Sequence, residues 1–147
     1  MGHTNPKENV MQVETYLDFN GRCEEAIEFY KKALGAKVNM LMRFKDHPSP
    51  DSCGAGPNPA HAEKVMHASL QVGKASIMVS DGRCTGQTKF EGFSLSISAN
   101  SDAEAERIFM ALGEGGTVTM PLGKTFFASS FGMVKDRFGV HWMLLTH

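Results

Sequence analysis

The stretch CEEAIEFYKKALGAKV, residues 23–38, decides the fold. Ala26, Ile27, Tyr30, Ala33 and Leu34 recur at the 3, 4, 7 spacing that lines one face of a helix, and Gly35 supplies a C-terminal stop. Just upstream, VETYLDFNG (13–21) alternates, with Thr15, Leu17 and Phe19 on one face, and reads as a strand ending at Asn20-Gly21. Downstream, AKVNMLMRF has strand content. A short amphipathic helix between two strands is a unit that cannot close a core alone, so the next question is whether it recurs.

It does. VMHASLQVGKASIMVSDG reads as two strands joined by a tight turn at Gly73-Lys74, with Gly at the first central position of a type II′ hairpin. If Val72 pairs with Ala75, Leu70 faces Ile77, and His67, Ser69, Gln71, Ser76, Met78 and Ser80 share the other face. In the second half GFSLSISAN alternates Phe93, Leu95 and Ile97 with small residues. SDAEAERIFMALG then offers Ser101 as N-cap, Glu104 at capping-box spacing, and a stripe of Ala105, Ile108, Phe109 and Leu112. GTVTMPL, TFFASSFGMVK, a turn at DRFG and VHWMLLTH follow as further strands. Each half therefore reads strand, helix, strand, strand, strand, an internal repeat of roughly 75 to 80 residues. The fold class is α+β, with two sheets each covered by a helix on one face.

The bulk properties agree with one domain. A chain of 147 residues can bury one real core. Lys plus Arg total 15 against 16 for Asp plus Glu, too balanced for non-specific phosphate binding, so nucleic acid is not an expected partner. No apolar run approaches the ~20 residues that cross a bilayer, and MGHTNPKENV has no apolar leader, so a cytoplasmic location is expected. Cys23, Cys53 and Cys84 are odd in number and far apart, which signals neither a disulfide framework nor a zinc knuckle. Residues 1–10 read as a tail, 11–82 as the first module, 83–91 as a linker and 92–147 as the second module. The Pro-rich segment 46–62 is a long loop that would act as a lid or stay unstructured.

Tandem βαβββ modules, with EAIEFYKKALGA after the first strand and Asp136, Phe138, Gly139, Val140 and Trp142 leading into the last, resemble the vicinal oxygen chelate superfamily. That superfamily holds glyoxalase I, extradiol dioxygenases and bleomycin-resistance proteins. YLDFNGRCEEAIEFYKKALGA, HASLQVGKASIMVSD, GFSLSIS and TFFASSFGMVKDRFGVHWML resemble its PhnB-like branch, whose members are often labelled glyoxalase-like or 3-demethylubiquinone 3-methyltransferase. The resemblance covers roughly residues 11–146. It implies curved sheets with helices outside, an inner cup that holds a ligand and often a metal, and a homodimer; one such fold hosts many chemistries.

Alternation then assigns the cup. If Thr15, Leu17 and Phe19 pack on the helix, Glu14, Tyr16 and Asp18 point inward; if Trp142 packs on the second helix, His141 and Met143 point inward. The hairpin adds His67, Ser69, Met78 and Ser80, and Phe126 and Phe131 complete the expected ligand-binding lining. The four metal-ligand positions that the resemblance implies fall near Glu14, Met78, Gly92 and Met143, of which only Glu14 is a suitable donor. No metal is expected there, and a relocated set would be Glu14, His67 and His141.

Other candidates carry less. Cys84 follows a turn and would need a neighbouring base to act as a nucleophile. Glu14 and Asp18 lie about 13 Å apart at a rise of ~3.3 Å per residue, too far to share a proton. His47, His61 and His147 fall in a loop or at the chain end, where surface residence is the default. FNGRCEEA is a poor match to a dinucleotide-type Gly-rich turn, which argues against methyl transfer from S-adenosylmethionine, and DRFG reads as a tight turn around Gly139. No Arg cluster lies on the expected cup face. The reading is a metal-free cup for a small organic molecule with no assigned catalytic residue. The alternatives are a metal-dependent lyase, isomerase or dioxygenase using Glu14, His67 and His141, and a ligand-sequestering protein like the bleomycin-resistance members.

Overall fold

The computed structural model describes residues 11–46, 62–82 and 88–147. The tail 1–10, most of the Pro-rich loop with His47, Cys53 and His61, and residues 83–87 with Cys84 lie outside the described residues. In chain order the elements are β1 (Thr15–Asp18), α1 (Cys23–Leu34), β2 (Lys37–Arg43), a 3₁₀ turn (Phe44–Asp46), β3 (Val65–Val72), β4 (Ala75–Ser80), β5 (Leu95–Ser98), α2 (Asp102–Gly113), β6 (Thr117–Gly123), β7 (Ser130–Lys135) and β8 (His141–Thr146). The fold is α+β, with two tandem βαβββ modules. They form two four-stranded mixed sheets in the orders β1-β4-β3-β2 and β5-β8-β7-β6, in each of which the first strand runs parallel to the last.

The repeat is accurate at the level of single residues. Phe19 N–H donates to Ser80 O in the first module as Ala99 N–H does to Leu145 O in the second. Val38 pairs with Leu70 where Val118 pairs with Val134, and each ladder slips just after that pair, before Met40 and before Met120. Val118 lies 80 residues after Val38, but Val134 only 64 after Leu70, because the first module carries the long loop between its second and third strands.

Both helices form where the periodicity puts them, but they are capped differently. Gly35 ends α1 with φ of 67°, and its N–H reaches Lys31 O. Ser101 caps α2 by accepting from Glu104 N–H at 3.1 Å, while the Glu104 carboxylate accepts from Asn100 N–H at 3.0 Å, one residue earlier than a capping box requires. No side chain at its own N-cap serves α1. Instead the buried Asp81, at the end of β4, accepts from Gly21 and Cys23 N–H at 2.6 and 2.9 Å, and from Val65 N–H at 2.8 Å. The position answering to Asp81 in the second module is Thr146, whose hydroxyl donates to Ser101 O.

The hairpin has the expected register, Val72 opposite Ala75 and Leu70 opposite Ile77, with Gly73 at φ of 57°. One expected strand is shorter. Residues 125–129, TFFAS, do not join β7, because Thr125 N–H donates to Ala128 O while its hydroxyl accepts from Ala128 N–H, closing a turn that delivers the chain to Ser130.

One core serves both modules, and it lies on the helix sides of the two sheets. Trp142 is on that side, as alternation requires, and its ring meets Tyr30 of α1 at 5.6 Å. Phe138 stacks against Phe19 and Phe29 of the first module. The buried Asp136 fastens this junction. Its Oδ1 accepts from Phe138 and Val140 N–H, and its Oδ2 from the Tyr30 hydroxyl at 2.5 Å and the Trp142 indole at 2.9 Å. Buried carboxylates with four donors at Asp136 and three at Asp81 are well satisfied, so both are structural anchors. Burial, reinforced by Asp136, pushes the Tyr30 hydroxyl well above its ordinary pKa.

Candidate functional site

With the core on the helix sides, the opposite face of each sheet is left open, and strand register lays out its rows. On the first sheet Tyr16, Met78, Ser69 and Met40 form the central row, with Asp18, Ser80, His67 and Met42 beside it. On the second sheet the matching rows are Ser96, Met143, Met133 and Met120, and then Ser98, Leu145, Phe131 and Gly123. A third row of the second sheet holds His141 opposite Lys135, which pairs on to Thr117.

The expected lining residues divide among these surfaces. Tyr16 and His67 touch, with ring centroids 5.8 Å apart, and Tyr16 is 52% exposed. Asp18 accepts from Asn20 N–H and lies against Gly82, whose φ of 65° and contact with the Asp18 carboxylate leave no room for a side chain. Ser80 is buried; its hydroxyl donates to Met66 O at 2.7 Å and accepts from Gly82 N–H at 2.8 Å, so it holds the turn after β4. Ser69, Met78 and Met143 are half-buried on the open faces. Phe131 is buried under Phe127 at 5.1 Å, whereas Phe126 sits on the 125–128 turn, 99% exposed. His141 and Met143 line a cavity of about 800 Å³ together with Phe90, Phe93, Phe138 and Lys135. His67 and Tyr16 do not line it, so the two histidines occupy different surfaces within one chain.

The donor set for a metal follows from the same register. Tyr16 pairs with Met78 as Ser96 pairs with Met143, so the residue answering to Glu14 is Ser94, two positions beyond the Gly92 expected from counting. The count from the helices overshot because the strand-to-helix turn is one residue shorter in the second module: Asp102 follows Ser98 by four positions where Cys23 follows Asp18 by five. One carboxylate, two thioethers and a hydroxyl do not fit zinc, nickel, manganese or iron of the kind glyoxalase-type sites hold. Among the described residues no three His, Cys, Asp or Glu side chains come together, so Glu14, His67 and His141 do not converge within the chain. Cys23 is buried at the start of α1, where desolvation, with Asp81 and Asp18 adding, raises its thiol pKa far from a reactive range.

Comparison with known proteins fits this architecture. The family model described as 3-demethylubiquinone-9 3-methyltransferase matches residues 11–145. The chain belongs to that family. It is 33% identical to the protein YjdN of Escherichia coli K12 over 142 residues, covering 91% of this chain and 94% of that one. Among solved structures, the protein PA1353 from Pseudomonas aeruginosa is 42% identical with a TM-score of 0.80, covering 94% of this chain and 98% of its own. A putative 3-demethylubiquinone-9 3-methyltransferase, PhnB protein, from Bacillus cereus is 25% identical with a TM-score of 0.76, covering 93% and 100%. A glyoxalase/bleomycin resistance protein from Albidiferax ferrireducens T118 shares the fold at 18% identity, with a TM-score of 0.59 and coverage of 94% and 99%. The family match and the PhnB structure agree with the expected PhnB-like resemblance, and the glyoxalase/bleomycin resistance protein shares the fold. Among the described residues no helix is long and apolar enough to cross a membrane.

Sequence reasoning missed the roles of Asp81, Asp136 and Lys135. An Asp opening a tight turn signals a bond to the backbone two residues on, which fits Asp136 to Phe138, but nothing local announces Tyr30, 106 residues away.

Proposed function

We propose that this PhnB-like protein binds a small organic molecule on its open sheet faces without using the metal of its superfamily. The observation that carries the reading is the donor set: Met78 and Met143 answer to each other in the two modules at positions where a ligating His or Glu is expected, and Ser94 is the counterpart of Glu14. The four methionines Met40, Met78, Met120 and Met143, with Met133, give an unbranched, adaptable lining suited to an organic ligand.

The description of the family names a methyltransferase. The β1-to-α1 turn, Phe19-Asn20-Gly21-Arg22, lacks the glycine spacing of a nucleotide-type cofactor site, and the parallel pairs here are confined to β1-β4 and β5-β8. Methyl transfer is therefore not part of the proposal. The protein is taken to be cytoplasmic, in keeping with a buried free thiol at Cys23.

The working form is taken to be a homodimer. Support comes from the two open faces, where Met40 and Met120 are 42% and 44% exposed in the single chain.

The test is a fragment screen on protein labelled at methionine methyl carbons, run before and after treatment with a chelator. Binding that moves the Met143 or Met78 methyl resonance and survives the chelator supports the reading; binding that needs an added divalent metal overturns it.

A further inference from the structure

Resting on that reading, we infer that the cavity on the second module selects a monocarboxylate, its head held by Lys135 and His141 and its apolar body lying along Met143. Lys135 and His141 are direct partners across β7 and β8, so their side chains rise from the same face side by side. Both line the cavity of about 800 Å³, within the size range of small-molecule sites. Among the described residues neither side chain has a hydrogen-bond or ion-pair partner, so the side-chain donors of both are available.

The charge balance of the lining narrows the class. Glu91 is matched by Lys89, with Nζ and Oε2 3.0 Å apart, which leaves Lys135 as the one uncompensated full charge. A single ammonium beside an imidazole donor suits one negative charge; a dianionic phosphate calls for a cluster or a bidentate arginine, and no arginine is among the residues lining the cavity. Apolar contact comes from Phe90, Phe93 and Phe138 on one side and from Met143, in the next row of the sheet, on the other. The cavity is therefore cationic at one end and apolar beyond it. The matching position in the first module is Ser76 opposite Gln71, which carries no charge, so the preference belongs to the second module alone.

Matched pairs of acids and their amides, acetate with acetamide and 4-phenylbutyrate with 4-phenylbutyramide, together with phenyl phosphate, would be titrated while the Met143 methyl resonance is followed. The expected result is that 4-phenylbutyrate binds about tenfold tighter than its amide, and that Lys135→Met removes this difference by weakening the acid far more than the amide. Acid and amide binding equally at Met143 would overturn the inference and leave the metal-free reading standing. Phenyl phosphate binding more than tenfold tighter than 4-phenylbutyrate would overturn the monocarboxylate assignment. No perturbation of Met143 by any of the five compounds would count against both.

Discussion

Leu17, Ala68, Leu70, Ile77 and Val79 of the first sheet stand where Ile97, Gly132, Val134, Trp142 and Leu144 stand in the second, all on the side that packs against the helices. On the other side the same register sets Tyr16 against Ser96, His67 against Phe131, Ser69 against Met133, Ser80 against Leu145 and Gln71 against Lys135. One face keeps its chemistry because it must fill a shared core; the other has diverged because it touches solvent or ligand. The lesson is that a duplicated module is constrained by packing and freed by exposure, so function is to be sought on the face where the repeats disagree.

The strongest way to break this comparison is at the junction of the modules. Asp136→Ala leaves the Tyr30 hydroxyl, the Trp142 indole and two backbone N–H groups without their acceptor, and is expected to cost about 3–5 kcal/mol in a denaturant titration. Asp81→Ala removes three donors' acceptor within one module and is expected to cost less. An equal or smaller loss at Asp136 would mean that the modules are not held together there.

Alkaline pH separates the helices. Cys23 and Tyr30, both on α1, have pKa values raised in the folded state, so the unfolded chain releases their protons first. Their stabilisation is complete below the unfolded pKa values, near 9.0 for the thiol and 10.0 for the phenol, and falls as pH rises past them. The slope is about 1.4 kcal/mol per pH unit for each group. The buried stripe of α2, with Ala105, Ile108, Phe109 and Leu112, has no such group. Stability should therefore fall above pH 9, and Tyr30→Phe should flatten the slope beyond pH 10.

A packing swap sharpens the comparison further. A methyl added at Gly132 would lie 2.8 Å from the Phe109 ring and 2.9 Å from Leu122 Cα, while its counterpart Ala68 carries that methyl fully buried in the first module. Gly132→Ala is expected to cost about 1–3 kcal/mol by overpacking, read as a fall in denaturation midpoint. The smallest effect concerns the caps. Ser101→Ala should cost about 1 kcal/mol because the side chain itself caps α2, whereas Arg22→Ala should leave the capping of α1 unchanged because Asp81 supplies it.

Much of the fold was legible because local signals and burial agree. Gly73 announced the hairpin and its register, Gly35 and Ser101 the helix ends, and the alternation around Trp142 its core side. Contacts distant in the chain were not legible. The bond between Tyr30 and Asp136 joins surfaces that meet only once both modules exist, and Trp142 meets the first module's helix for the same reason. TFFAS has the β-propensity of a strand, yet Thr125 spends its hydrogen bonds on a turn. At the site, alternation identified the open faces, but counting from helix motifs placed a ligand position at Gly92 when pairing puts it at Ser94. Lys135 escaped notice because a lysine at a strand end is ordinarily a solvated residue, and only the cavity beside it changes that reading.

The central claim, that the binding face works without the superfamily's metal, is tested most directly by elemental analysis of protein purified without a histidine tag, with Glu14→Gln, His67→Ala and His141→Ala alongside. The account predicts well under one metal ion per chain in all four proteins. One zinc, nickel, manganese or iron per chain in the parent, lost in the variants, would contradict it.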